Sequence, residues 1–262
     1  MKAMVLKAMV LAAGLGTRLR PLTNDRPKAL VEVCGRSLLE ITLTRLRSFG
    51  IHDVIINVHH YADMVIDHVK SAGNFGMHIE FSREDVLLDT GGGLKKAAWF
   101  LGGSANSNGN FDTNGAKDEP FILHNVDVIS NIDLQRMVEA HQMNKALATL
   151  AVQQRKTSRY LLFNDYLQLC GRRLVKEEKN EIARPSQNMT ELAFAGIHVI
   201  SPHIFPLLTE EGVFSIVPAY LRLAAQGEKI QAFRADEYYW RDLGKPENIR
   251  QAEEDIKANL VR

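Results

Sequence analysis

The stretch "VLAAGLGTRLRPLTNDRPKAL" at 10–30 runs a hydrophobic strand into two glycines, Gly14 and Gly16, then sets Arg18, Arg20 and Lys28 into a segment broken by Pro21 and Pro27. Flexible backbone beside fixed positive charge suits a bound anion, because amides can approach it while cations neutralise it. Three phosphate-binding loops compete for this position, and spacing separates them. A Walker A loop ends in Gly-Lys-Ser/Thr, whereas Gly16 is followed by Thr17 and Arg18. The dinucleotide fingerprint needs a third glycine or alanine for close helix packing, and this chain has Leu19 there. What remains is a loop whose amides meet a nucleotide, with Arg18 reaching its phosphates and Lys28 returning to the same place.

Outward from the loop, 262 residues with 45% hydrophobic content suffice to bury a full core. Lys plus Arg is 32 against 31 for Asp plus Glu, so no overall field draws nucleic acid or an anionic membrane, and any anion site must be local. Cys34 and Cys170 stand far apart in no metal or redox spacing, which fits a reducing, cytoplasmic setting. The opening "MKAMVLKAMVLAAG" turns apolar like a short signal peptide. Lys7 interrupts that run, however, and it is too short to span a membrane. The repeat of KAMVL at 2–6 and 7–11 reads as an extension preceding the strand.

Apolar, β-branched runs alternate with helical stretches, the signature of crossover units and an α/β fold with a largely parallel sheet. The pattern predicts strands at 8–13, 53–58, 78–81, 121–125, 147–153 and 194–199, with helices at 61–72, 94–101, 133–144, 215–226 and 246–259. Ser37 and Glu40 form a capping-box pair for a helix to Phe49 that Gly50 stops, and Pro246 suits a first helical turn. The glycine-rich, polar segment at 102–118 reads as a flexible insert, and 160–192 as a hairpin region turning at Asn164-Asp165 over one edge of a ligand cleft.

The opening stretch resembles the signature of sugar-phosphate nucleotidyltransferases, L-A-A-G-x-G-T/S-R-x-x-P-L-T followed by P-K. The resemblance continues through "SLLEITLTRLRSFGIHDVIINVHHYAD", "DTGGGLKKA", "HNVDV", "FAGIHVISPHIF" and "WRDLGKPENIRQAE". "DTGGG" looks most like N-acetylmuramate-1-phosphate uridylyltransferases and the related mannose-1-phosphate guanylyltransferase-like proteins. The resemblance implies one domain over 1–262, a Rossmann-like three-layer sandwich on a mixed, mostly parallel sheet. It also implies transfer of a nucleotidyl group from a nucleoside triphosphate, UTP favoured, to a sugar 1-phosphate, N-acetylmuramate 1-phosphate favoured. GTP or dTTP with mannose or glucose 1-phosphate is the nearest variant, and a monomer or homodimer is expected.

Carried onto this chain, the resemblance makes Arg18 the holder of the β- and γ-phosphates and Lys28 the bridge between the α-phosphate and the incoming sugar phosphate. Asp127 and Asp242, each ending an apolar or aromatic run, would hold Mg2+, with Asp127 catalytic. Ala12, Ala13, Gly14, Gly16 and Thr17 would meet the nucleotide, and Asp89, Thr90, Gly91 and Gly92 the base, through backbone groups and a helix N-terminus. Asn125 would serve ribose or sugar, Gly196 would let a sugar approach the sheet, and Lys176 and Glu181 are candidates near it. Val126 replaces the family's glycine before Asp127. A β-branched side chain there narrows the site in this reading and keeps a second class in play, a non-catalytic nucleotide-sugar sensor of the same fold. His59 and His60 point to opposite faces of a strand and read as packing, and Tyr238, Tyr239 and Trp240 read as core.

Overall fold

A computed structural model describes residues 6–102, 104–105, 111–112 and 119–260. The first KAMVL copy, apart from Leu6, and most of the 102–118 insert fall outside them. Strand β1 (Lys7–Leu11) enters the glycine loop, and β2 (Glu32–Val33) and β3 (Arg36–Ser37) form a small hairpin before α1 (Leu38–Ser48). Next come β4 (Asp53–Val58), α2 (Ala62–Ser71), β5 (His78–Arg83), α3 (Asp89–Lys96), the short pair β6 (Ser104–Ala105) and β7 (Phe111–Asp112), then β8 (Phe121–Asn125). They are followed by β9 (Val128–Ser130), α4 (Leu134–Asn144), β10 (Ala148–Gln153), β11 (Arg159–Phe163), β12 (Leu169–Leu174), β13 (Lys179–Ile182) and the long β14 (Thr190–Ile200). Helix α5 (Ile216–Ala225), β15 (Ile230–Arg234), β16 (Trp240–Asp242) and α6 (Pro246–Lys257) complete the order.

The main sheet runs β13-β12-β11-β14-β8-β1-β4-β5, with β10 on β14 and β15 beside β10. Its β8-β1-β4-β5 half is parallel, and β14 enters antiparallel to β8, so the sheet is mixed as expected. After β1 the chain goes to β4 on one side, while β8 returns on the other. A crevice opens at such a reversal, at the carboxyl ends of the strands. Period-two alternation divides each central strand between two cores. Ala8 and Val10 face a core with Leu43 of α1, Val65 of α2 and Ile249 of α6, whereas Met9 faces Leu94 of α3 and Tyr220 of α5. Helices thus cover both faces, in three layers. No helix among the described residues is long and apolar enough to cross a membrane.

Helix α1 is capped as the sequence implied, with Ser37 Oγ accepting from the Glu40 amide at 3.0 Å and Gly50 at φ +75 beyond its end. Glu40 does not reach back to complete the box; its carboxylate accepts from Arg36 Nε at 2.7 Å. The expected hairpin turns at Asn164, whose Oδ1 accepts from the Tyr166 and Gln168 amides, and β13 extends it to three strands. Strand β16 falls on the aromatic run that ends at Asp242, whereas β9 and β15 were not foreseen. A run as short as β9 is a strand because of its partner rather than its composition.

His124 and His198 are fully buried on the adjacent strands β8 and β14. Burial, aided by the Arg45 charge, holds the His124 imidazole down at about 4, and burial with His124 beside it holds His198 at about 3. Below pH 6.5 the unfolded chain therefore takes up protons that the folded one refuses. Stability is lost as pH falls from about 6.5 toward 4, at about 1.4 kcal/mol per pH unit for each histidine. Thermal melts should show a lower Tm at pH 5 than at pH 7, and His124→Asn should flatten that slope. A wild-type Tm constant across this range would contradict the assignment.

Candidate active site

The glycine loop is built from inside outward. Leu19, fully buried, anchors a short helical turn at Thr17–Leu19, and its amide donates to the Gly16 carbonyl at 2.8 Å. It packs into the core at the position where a dinucleotide loop has its third glycine. Gly16 sits at φ +65 with Lys28 Cβ and Thr23 Cγ2 each 3.0 Å from where a Cβ would lie, so this glycine closes the loop on itself. Gly14 has nothing within 4 Å of that position, which leaves one open approach to the backbone. The Ala12 amide is not free for a ligand, because it donates to buried Asn57 Oδ1 at 2.7 Å. Asn57 in turn donates to Glu84 Oε1 at 2.7 Å, and Glu84, 3% exposed, accepts the Leu88 amide at 3.0 Å. A buried carboxylate is tolerable only when hydrogen-bonded in this way. Asn57 and Glu84 thus brace the loop across three elements, a role the sequence reading missed because they lie far apart in the chain.

The charged residues converge at the strand ends. The Val126 amide donates to the Leu11 carbonyl at 3.2 Å, tying the end of β8 to that of β1. Lys28 Nζ is ion-paired with Asp127 Oδ2. Strand β9 starts directly after Asp127 and pairs with β16, placing Asp242 opposite Val128, and the Leu243 amide donates to the Asp127 carbonyl at 2.8 Å. The two acidic positions, 115 residues apart by their numbers, are therefore backbone neighbours. Asp242 Oδ1 accepts the Gly244 amide at 2.7 Å, and a Cβ at Gly244 would lie 2.7 Å from both that oxygen and Arg18 Nη2. Arg18 and Asp242 consequently share the space that Gly244 leaves open. The sequence reading passed over Gly244, although it stands inside a motif that was quoted. Val126 is 4% exposed; its side chain joins the first core, and the residue also lines the smaller cavity between Asn125 and Asp127.

Two cavities flank this cluster, and Asn125 lines both. One, of about 470 Å³, is bounded by Ala12, Ala13, Gly14, Lys28, Asp127, Asp89 and Thr90. The other, of about 840 Å³, is bounded by Arg18, Gly196, Trp240, Asp242 and a row of basic side chains that includes Lys176. Gly16 and Thr17 line neither. Gly196 is at φ +75, and a Cβ there would meet Asn125 Nδ2 at 2.8 Å, so the glycine also makes room for Asn125. Trp240 is half-buried, donates to the Ala195 carbonyl at 2.7 Å and carries the Arg155 guanidinium 3.7 Å above its ring centre, so it is cavity wall as well as core.

The "DTGGG" segment requires a correction. It lies inside α3 rather than before it, and its glycines are buried. A Cβ at Gly91 would lie 2.3 Å from Phe214, one at Gly92 2.4 Å from the Gly212 carbonyl, and one at Gly93 2.8 Å from Glu84 Oε1. The Gly91 and Gly92 amides donate to the Phe214 carbonyl at 2.9 and 3.2 Å. Those glycines fit the helix against its own protein and leave no free amide for a base; Asp89 and Thr90 are the residues of this segment that reach the cavity. Glu181 lines neither cavity. Hydrogen bonds from Arg172, then Lys179, hold its carboxyl well below the usual range on the surface hairpin. His59 Nδ1 lies 2.9 Å from the Glu84 carbonyl, and His60 packs on Tyr61 with ring centres 4.0 Å apart, both structural as expected.

Among the described residues no group of three or more His, Cys, Asp or Glu forms a metal cage. Two hard carboxylates on neighbouring backbones do fit Mg2+, which commonly takes one or two carboxylates and completes its shell with water and phosphate oxygens. Substituting Gly244 should disturb Arg18 and Asp242 together. Gly244→Ala is expected to lower kcat/KM for nucleotidyl transfer at least tenfold, about 1.4 kcal/mol of transition-state stabilisation, with little change in Tm. Wild-type kinetics in that variant would show that the close packing has no functional weight.

Residues 7–259 match the family model described as nucleotidyl transferase. The chain is 35% identical over 250 residues to N-acetylmuramate alpha-1-phosphate uridylyltransferase of Caulobacter vibrioides, covering 92% of each chain. It is 28% identical to mannose-1-phosphate guanyltransferase of Yarrowia lipolytica, covering 93% of this chain but 62% of that longer one. Among solved structures, UDP-glucose pyrophosphorylase complexed with UDP-glucose superposes with a TM-score of 0.72 at 19% identity, covering 98% of this chain and all of that one. HddC from Yersinia pseudotuberculosis complexed with GMP-PN gives 0.71 at 21%, covering 96% and all. The chain therefore belongs to the nucleotidyl transferase family, among its sugar-1-phosphate nucleotidyltransferases.

Proposed function

We propose that this enzyme transfers a uridylyl group from UTP to a sugar 1-phosphate that carries a second anionic group, with N-acetylmuramate 1-phosphate the favoured acceptor. The observation that carries this reading is the charge of the larger cavity. Arg18, Arg155, Lys156, Arg159, Lys176 and Lys245 line it against only Glu177 and Asp242. A neutral hexose 1-phosphate presents its charge at one end, the phosphate that Lys28 would meet. The further cations suit a carboxylate at the other end, such as the lactyl group of N-acetylmuramate. Uracil as the base rests on the likeness to the Caulobacter enzyme.

In the proposed reaction an oxygen of the sugar phosphate attacks the α-phosphorus, the bond to the bridging oxygen breaks, and pyrophosphate leaves with that electron pair. Like unit charges about 4 Å apart repel by about 1 kcal/mol in water and about 4 kcal/mol in a protein cleft, so aimed cations lower the barrier directly. Lys28, which lines the smaller cavity, would hold the α-phosphate and the entering phosphate. Arg18 would take the charge growing on pyrophosphate. The attacking oxygen is already ionised, so no general base is needed. Asp127 and Asp242 would hold a divalent cation, whose contribution is further neutralisation of the phosphates. The need for a nucleoside triphosphate and the free thiols of Cys34 and Cys170 support a cytoplasmic setting in this reading.

Pyrophosphate release across UTP, GTP, dTTP and CTP against N-acetylmuramate, mannose, glucose and N-acetylglucosamine 1-phosphates tests this reading. The strongest turnover is expected for UTP with N-acetylmuramate 1-phosphate. Arg155→Ala should raise KM for that acceptor more than for the neutral ones. Preference for a neutral sugar would overturn the acidic-acceptor reading, and nucleotide-sugar binding without any turnover would favour the sensor. Asp127→Ala and Asp242→Ala should each abolish metal-dependent release while the fold persists.

A further inference from the structure

The two carboxylates at the strand ends already have basic partners from the same chain. Lys28 and Asp127 form an ion pair whose side chains are 12% and 15% exposed, so solvent screens it little. Asp242 Oδ1 is held by the neutral Gly244 amide, and Arg18 lies across the same glycine, no farther from that oxygen than two such close contacts allow. Each carboxylate suited to a divalent ion thus has a basic side chain beside it. No third acidic or imidazole ligand completes a cage among the described residues.

We propose that Lys28 is a stand-in cation. In the free enzyme its ammonium occupies the Asp127 carboxylate that a divalent ion requires, and a bound triphosphate draws it away and opens Asp127. Metal and nucleotide then enter together, not the metal first. The inference rests on the assignment of Asp127 and Asp242 as divalent-cation ligands. Its physical basis is that an ammonium and a divalent ion on one carboxylate repel each other with twice the energy of two unit charges at the same separation. With Lys28 in place, an entering ion has only Asp242 to use, itself with Arg18 nearby, and Mg2+ gives up water reluctantly for a single carboxylate. The lysine stem is long and flexible, so its ammonium can change partners without moving the backbone, and the phosphates supply the alternative partner.

The experiment uses Mn2+ as the probe, read by the loss of its free-ion EPR signal on titration into the nucleotide-free protein. Lys28→Met is expected to bind Mn2+ at least tenfold more tightly than wild type. Lys28→Met/Asp127→Asn should return to the weak value. Lys28→Gln serves as a second variant if the first does not give a wild-type melting curve. With a non-hydrolysable UTP analogue, wild type should bind Mn2+ at least tenfold more tightly than both the nucleotide-free protein and the analogue alone in a protein-free titration. Equal Mn2+ binding by wild type and a folded Lys28 variant, tight or weak, would overturn the proposal. Because this readout needs no turnover, a blank substrate grid with the Mn2+ gain intact would count against the proposed reaction and leave this inference standing.

Discussion

The ion pair between Lys28 and Asp127 joins the two segments that make the cleft, the loop leaving β1 and the end of β8. Around it the molecule solves an electrostatic problem. A site able to bring two phosphorylated molecules together must hold several positive charges close to one another, and before ligands arrive those charges repel. Pairing Lys28 with Asp127 and setting Arg18 beside Asp242 lowers that repulsion within the fold. The parallel half of the sheet aims both strand ends at one crevice, and the β9-β16 ladder carries the second carboxylate to the first.

Much of the remaining structure keeps this cluster in place. Asn57 and Glu84, both buried, connect the glycine loop to β4 and to the segment entering α3. Their hydrogen bonds are formed before any ligand binds, so loop geometry need not be organised at the moment of binding. The glycines divide by what surrounds them. Gly14 leaves the backbone open to the cavity, while Gly91, Gly92, Gly93 and Gly244 are small because other parts of the protein crowd them. A glycine-rich string alone does not tell these two uses apart.

The imbalance between the cavities carries the substrate argument. The smaller one mixes apolar walls with a few polar groups, and the larger is dominated by arginine and lysine. Arg155 contributes there while stacked on Trp240 and bonded to the Phe194 carbonyl at 2.6 Å, a rigid placement for a long side chain. Trp240 therefore serves both the core and the orientation of a cation.

The sequence by itself determined the α/β fold, the strands at the centre of the sheet and the glycine loop, because local periodicity and a contiguous motif encode these, and its family resemblance pointed to Arg18, Lys28, Asp127 and Asp242, which folding brings to one place. Leu19 excluded a dinucleotide loop from one position alone. Tertiary structure decided what depends on contacts between distant segments. It put Gly91 and Gly92 inside a packed helix, recruited Asn57 and Glu84, and made a strand of 128–130. Those features have no local signal, since each follows from a neighbour that lies tens of residues away in the chain and is brought into contact only by folding.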